Sequence, residues 1–122
     1  MSNLAFLVDT NVVIALLKDE QTSVDLLDGV GSNSANTTVS VITRIELLSF
    51  PNLEGSEETR ILAFLADCTV PLISDDVEAA SISFRRSTRA KLPDAIIAAT
   101  AHVHGLCLLT FDEKLARLAL TP

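Results

Sequence analysis

Apolar positions along the chain fall into short unbroken runs and into longer stretches where they recur every three or four residues. Leu4-Ala5-Phe6-Leu7-Val8 is an unbroken run ending at Asp9, which suits a strand buried on both faces. Asn11 to Lys18 predicts a helix. Thr22 to Val30 predicts a second, with Thr22 and Asp25 at capping-box spacing and Gly29, Gly31, Ser32 and Asn33 ending it. The β-branched stretch Thr37-Thr38-Val39-Ser40-Val41-Ile42 predicts a strand. Thr43 and Glu46 repeat the capping-box spacing and open a helix that Pro51 stops. Ser56 caps the next helix, with Glu57 and Glu58 in its first turn and Ile61, Leu62 and Leu65 on one face. Cys68 to Ile73 predicts a strand, placed at a sheet edge because Pro71 lacks an N–H. Val77, Ala80, Ser81 and Phe84 follow Ser74-Asp75 at helical spacing. Pro93 opens a helix over Asp94 to His104 that is apolar nearly all round, hence central, with Gly105 at its C′ position. Leu106 to Leu109 reads as a strand, and Thr110 with Glu113 precedes a last helix at capping-box spacing.

Strands that alternate with helices and are themselves wholly apolar imply an α/β domain with a central, mostly parallel sheet covered on both faces. With 122 residues, no repeat and scattered Pro and Gly, the expectation is a single domain over 1–122. An apolar content of 48% excludes a disordered chain. Trp and Tyr are absent and Phe occurs five times, so aliphatic side chains fill the core and a broad aromatic surface for stacking bases is not expected. Nine Lys and Arg against 16 Asp and Glu leave a net charge of −7, which argues against general attraction to nucleic acid or an anionic membrane. It leaves room for a local basic patch, or for an acidic site offset by bound metal. Cys68 and Cys107 lie in apolar stretches and are expected to be buried free thiols in a reducing compartment. Met1-Ser2-Asn3 carries no positive charge and no run approaches the roughly 20 apolar residues of a membrane span, so no signal peptide and a cytoplasmic location are expected.

In parallel α/β sheets, ligands bind at the carboxyl ends of the strands. Asp9 directly follows the first strand, Glu46 lies in the first turn after the second, Asp112 lies just past the Leu106–Leu109 strand, and Asp94 opens the central helix. Each has an ordinary alternative. Asp9 suits a helix N-cap, Glu46 completes Thr43's capping box, and Asp94 and Asp112 suit helix starts through the macrodipole. Together at one sheet edge, four carboxylates repel one another and raise their own pKa values, a conflict that a divalent cation removes. Hard cations such as Mg²⁺ or Mn²⁺ take oxygen ligands, and the chemistry such sites serve is phosphoryl transfer. Thr10, Asn11 and Thr110 stand ready to orient carboxylates or bound water.

Leu7-Val8-Asp9-Thr10-Asn11 resembles the opening motif of PIN domains, which are metal-dependent ribonucleases. Val39 to Pro51 resembles their second motif as found in VapC-type toxins, Leu92 to Ala101 the third, and Leu108-Leu109-Thr110-Phe111-Asp112 the fourth. The four stand in the family's order across residues 7 to 112. The resemblance implies a three-layer α/β/α fold and an acidic site of Asp9, Glu46, Asp94 and Asp112 that holds Mg²⁺ or Mn²⁺, with Thr10, Asn11 and Thr110 in support. It implies an endoribonuclease toxin that cleaves RNA, is neutralised by a cognate antitoxin protein, and forms a homodimer or higher oligomer. Members commonly continue into a last strand after the fourth motif. Here Leu115 to Pro122 leaves that strand missing or vestigial, so the sheet is expected to hold four or five short strands.

Arg85, Arg86, Arg89 and Lys91 are four of the nine positive charges and immediately precede the Asp94 motif. They read as phosphate contacts for the RNA, or as a solvated helix face. His102 and His104 fall in the last turn of the central helix, where cations suit the dipole, at the end away from Asp94. Two other function classes compete with the nuclease. A phosphoacceptor receiver domain wants paired acids after the first strand, an Asp near mid-chain and a Lys ending a late strand. Here Val8 precedes a single Asp9, residues 50–56 hold no Asp, and Thr110 follows the late strand. A non-catalytic PIN-like module that binds RNA or protein would share the fold, but would not need all four acids.

Overall fold

A computed structural model describes residues 5–120. Along the chain run β1 (Phe6–Val8), α1 (Thr10–Leu17), α2 (Gln21–Val30), a 3₁₀ turn (Ser34–Asn36), β2 (Thr37–Thr38), α3 (Val41–Leu48), α4 (Gly55–Asp67), α5 (Asp75–Thr88), α6 (Leu92–His104), β3 (Cys107–Leu109) and α7 (Glu113–Ala119). The sheet is parallel in the order β2-β1-β3, with Phe6 opposite both Thr37 and Cys107.

The middle strand shows why the fold has three layers. Its three residues are completely buried, and their side chains alternate between two cores. Leu7 faces a core built with Val77 and Phe84 of α5, Ala95 to Ala101 of α6, and Leu115 and Leu118 of α7. Phe6 and Val8 face the other, with Val12 and Val13 of α1, Leu47 of α3, and Ile61 and Leu65 of α4. Among the described residues no helix is long and apolar enough to cross a membrane.

The sheet is narrower than expected: three strands among the described residues rather than four or five. The Cys68–Ile73 stretch contributes a single parallel bridge, Thr69 to Thr38. Thr69 donates its N–H to Thr37 O at 3.1 Å and accepts from Val39 N at 2.9 Å. Pro71, two residues on, has no N–H with which to extend the ladder. After β3 the described chain passes directly into α7, without a further strand. Leu4 of the expected first strand, and Thr121 and Pro122, lie outside the described residues.

Several helix starts differ from the capping-box reading. The strand expected over Thr37–Ile42 stops at Thr38, because Ser40 caps α3 by accepting the Ile42 N–H at 3.1 Å. Val41, Ile42 and Thr43 are therefore helical despite β-branching, since packing overrides propensity: Ile42 packs on the Leu7-side core and Thr43 is buried. In α2 the cap position is Glu20, not Thr22, and Asp25 instead accepts from Gln21 Nε2 at 2.7 Å. Helix α4 begins at Gly55, ahead of Ser56, with the Glu54 N–H donating to Glu57 Oε1 at 3.3 Å. Ser74 caps α5, accepting the Val77 N–H at 3.2 Å, ahead of the expected helical spacing. Gly105 closes α6 at φ +63°, in the left-handed region that favours glycine.

Candidate active site

Asp9 is the first residue beyond the central strand, and its N–H still bonds to Leu109 O of β3 at 2.9 Å. Its backbone is thereby fixed relative to the sheet. Oδ1 accepts the Thr10 N–H at 2.8 Å, capping α1, and Oδ2 accepts the Thr110 hydroxyl at 2.7 Å. Burial pushes the Asp9 pKa upward; these two hydrogen bonds oppose that rise, and the charges of Asp94 and Glu46 add to it. Asp9 is only 6% exposed, so the ordinary cap and the candidate ligand are one side chain.

Asp94 lies in the first turn of α6. Its pKa is raised first by burial, then by the charge of Asp112, with a smaller rise from Glu46, while Lys91 at the head of the same helix lowers it. These interactions link all four carboxylates: Asp9 with Asp94 and Glu46, and Asp94 with Asp112 and Glu46.

Glu46 projects from α3. Thr10 Oγ1 donates to Glu46 Oε1 at 2.7 Å and lies 2.9 Å from the buried Thr43 Oγ1. Thr43 is thus not a cap but a support for Thr10, a role the sequence reading missed. Thr43 and Glu46 are three residues apart on one helix and face the same way, a spacing that fits a capping box equally well. Asp112 caps α7, its Oδ1 accepting the N–H groups of Lys114 at 2.9 Å and Leu115 at 3.2 Å. Thr110, expected both at that helix's capping-box spacing and in support of the acids, takes only the second role. It donates to Asp9, accepts the Asp112 N–H at 3.0 Å, and lies 3.5 Å from Asn11 Nδ2. Asn11 Oδ1 in turn accepts the Phe111 N–H at 3.3 Å.

The basic cluster sits where α5 hands over to α6. Arg85 and Arg86 occupy the last turn of α5, Arg89 caps it in the left-handed conformation at φ +58°, and Lys91 is the N-cap position of α6. All four are exposed. They are not equivalent, because Arg85 Nε donates to Ala90 O at 3.3 Å and so holds the connecting loop. His102 and His104 are exposed in the last turn of α6, at the opposite end of the helix from Asp94, and the His102 ring meets Phe84 edge-on at 6.2 Å. Both cysteines are free. Burial pushes the Cys68 thiol up to about 11, with Asp67 adding to the rise, yet Cys68 is only half-buried and Cys107 is exposed, so neither is the fully buried thiol expected.

Among the described residues no three His, Cys, Asp or Glu side chains stand close enough to hold one ion jointly. The donor set nonetheless suits a hydrated hard cation. Mg²⁺ keeps several waters and needs only one or two direct carboxylates. The residues here are all oxygen donors, and two have pKa values raised partly by their neighbours' negative charge, which a cation would offset.

The family model described as PIN domain matches residues 6–120, the family that the four motifs resemble. Among solved structures, a toxin-antitoxin complex from Klebsiella pneumoniae holds a chain 31% identical to this one, over 90% of this chain and 88% of that one, with a TM-score of 0.78. A chain in the structure of FitAB bound to an IR36 DNA fragment is 25% identical over 95% of this chain and 91% of that one, with a TM-score of 0.73. FitAcB from Neisseria gonorrhoeae shares the fold at 24% identity, covering 95% and 94% of the two chains, with a TM-score of 0.70. No match was found among curated proteins. Since the family match runs from the first strand to the end of α7 and encloses all four carboxylates, the chain belongs to the PIN domain family.

Proposed function

We propose that this PIN domain is a metal-dependent endoribonuclease, the toxin of a toxin–antitoxin pair. The observation that carries the reading is that Asp9, Glu46, Asp94 and Asp112, from four separate elements, lie near enough for their charges to act on one another in pairs, Asp9 with Asp94 and Glu46, and Asp94 with Asp112 and Glu46. The toxin assignment is supported by the 31% identity to a chain of a toxin-antitoxin complex. The four motifs' resemblance to VapC-type toxins extends the proposal to a cognate antitoxin partner and a homodimer or higher oligomer, and the cytoplasmic location expected from the sequence is part of the same proposal.

Bound Mg²⁺ or Mn²⁺ would supply an activated water and neutralise charge on the phosphate. Asp9 and Asp94 would hold the ion, with Glu46 and Asp112 completing the acidic surround. Thr110 keeps Asp9 aligned while bracing the backbone of Asp112. Thr10 fixes Glu46. Lys91 offsets part of the negative charge at Asp94. Arg86 and Arg89 are exposed and make no loop-bracing bond of the kind Arg85 makes, so their guanidinium groups are available to meet phosphate.

Purified protein is expected to cut single-stranded RNA with Mg²⁺ or Mn²⁺ and to stop on chelation. Cleavage that survives complete chelation overturns the metal mechanism, and RNA bound but never cut selects the non-catalytic module. The basic cluster has its own test. Arg86→Ala with Arg89→Ala should weaken RNA binding and make the slope of log affinity against log salt shallower by about 1.4, at roughly 0.7 per phosphate neutralised on a single strand. An unchanged slope returns the cluster to a solvated surface. Arg85→Ala is the poorer probe, because it also releases the Ala90 carbonyl.

A further inference from the structure

Composition excludes a broad stacking surface, but one exposed aromatic residue lies in the chain between two residues of the site. Of the five Phe, Phe6 and Phe84 are buried and Phe64 is half-buried against the core. Phe50 is exposed, but it lines a groove of about 600 Å³ between α1 and α4. Phe111 is 45% exposed, belongs to neither core, and lies in the chain between Thr110 and Asp112. Isolated exposed apolar side chains are common and need no explanation. Phe111 differs in how its backbone is held. Its N–H is tied to Asn11 Oδ1 across 100 residues of sequence, Thr110 on one side bonds to Asp9, and Asp112 on the other caps α7. An exposed ring is therefore presented from a braced turn, one residue from a carboxylate of the site.

We infer that Phe111 is a positioning residue on which an unpaired base of single-stranded RNA stacks, seating the adjoining phosphate at the carboxylates. The inference rests on the ribonuclease reading for its substrate class. Every base has a π-face, so the contact selects single strands over duplexes without selecting sequence. In a duplex the bases already stack on one another and are withheld from the ring. Bracing matters because a backbone held in place before binding leaves only the side-chain torsions to be fixed when the base arrives.

The chain has no Trp or Tyr, so Phe111→Trp would carry the sole indole and its fluorescence would report this position alone. In an Asp94→Asn background, which prevents turnover, single-stranded RNA should quench that fluorescence saturably. The same strand with abasic positions, and duplex RNA, should quench it far less. Phe111→Ala should weaken single-strand binding about fivefold to a hundredfold. With Asp94 intact it should raise KM more than it lowers kcat, and Phe111→Trp should restore KM. Equal quenching by the abasic strand, or unchanged affinity in Phe111→Ala, overturns the inference. So does a Phe111→Ala effect confined to the sedimentation of the protein alone, which would assign the ring to a contact between two copies. The binding arms do not require cleavage. Base-dependent quenching by a protein that cuts no RNA would uphold the stacking role and reject the nuclease, whereas cleavage without quenching would do the reverse.

Discussion

Asp94→Asn is expected to lower RNA cleavage by about a thousandfold or more while the metal-free protein melts at a higher temperature than wild type. The rate loss is the transition-state stabilisation forfeited with a metal ligand, several kcal/mol at about 1.4 kcal/mol per decade. The gain in melting temperature follows from the charges. Asp94 is pressed by burial, by Asp112 and by Glu46, and asparagine removes the charge at nearly constant shape. Among the four, this position separates the two effects best, because Asp9 and Asp112 also hold backbone N–H groups and Glu46 holds the Thr10 hydroxyl. The variant should also lose the rise in melting temperature that Mn²⁺ gives wild type, since an ion stabilises only by binding the native state. In wild type without metal, the folded pKa values of Asp9 and Asp94 stand above the unfolded 3.8, so the native state holds protons more tightly. That contribution to stability is full below 3.8 and is lost as pH rises through the raised folded values. Metal-free wild type should therefore become more stable as pH falls through this window, and Asp94→Asn should show less of the effect. An unchanged metal response and pH slope in the variant would remove Asp94 from the shared site.

The second large effect is expected from a residue that touches no ion. Thr110→Val keeps the side-chain shape and removes the hydroxyl that donates to Asp9 Oδ2 and accepts from the Asp112 backbone. A buried carboxylate oxygen left without its donor costs about 1–3 kcal/mol of stability. Loss of a partner that orients a ligand typically costs about 10- to 100-fold in metal affinity or activity. The pH profile separates this role from simple packing. The Thr110 bond lowers the Asp9 pKa, so its loss raises that value further and moves the acid limb of the rate profile to higher pH. Thr110→Ser retains the hydroxyl and should restore the wild-type limb. A valine variant that keeps both the limb and the rate would show that Asp9 is aligned without this bond.

The elements most legible in the sequence are those where several local signals agree. Helix α6 has a proline near its start, apolar residues almost all round and a glycine in the left-handed position at its end. The central strand is an uninterrupted apolar run, and α5 shows both its cap and its periodicity. The departures cluster at threonines. Thr22, Thr43 and Thr110 each precede an acid by three residues, which is the capping-box spacing, yet none caps a helix. Spacing along the chain cannot distinguish a hydroxyl turned to its own backbone from one turned to a residue far away. Thr43 meets Thr10, 33 residues distant, and Thr110 meets Asp9, 101 residues distant. The real caps, Ser40 and Asp112, lie within three residues of Thr43 and Thr110 and have equally good cap chemistry. The number of strands is illegible for a related reason: a bridge one residue long at Thr69 leaves no periodicity to read.

The bond between Asp9 and Thr110 also bears on timing during synthesis. The two residues are 101 positions apart, and at about 5–20 residues per second a ribosome needs roughly 5–20 s to pass from one to the other. Throughout that interval Asp9 exists without its hydroxyl partner, β1 lacks its neighbour β3, and neither Asp94 nor Asp112 is in place until near the end. A growing chain therefore carries the first acid of the centre long before it carries the centre. The acidic cluster is completed only when its last contributor has been made, so a chain with the proposed nuclease activity would be harmless, while unfinished, to the message from which it is being read.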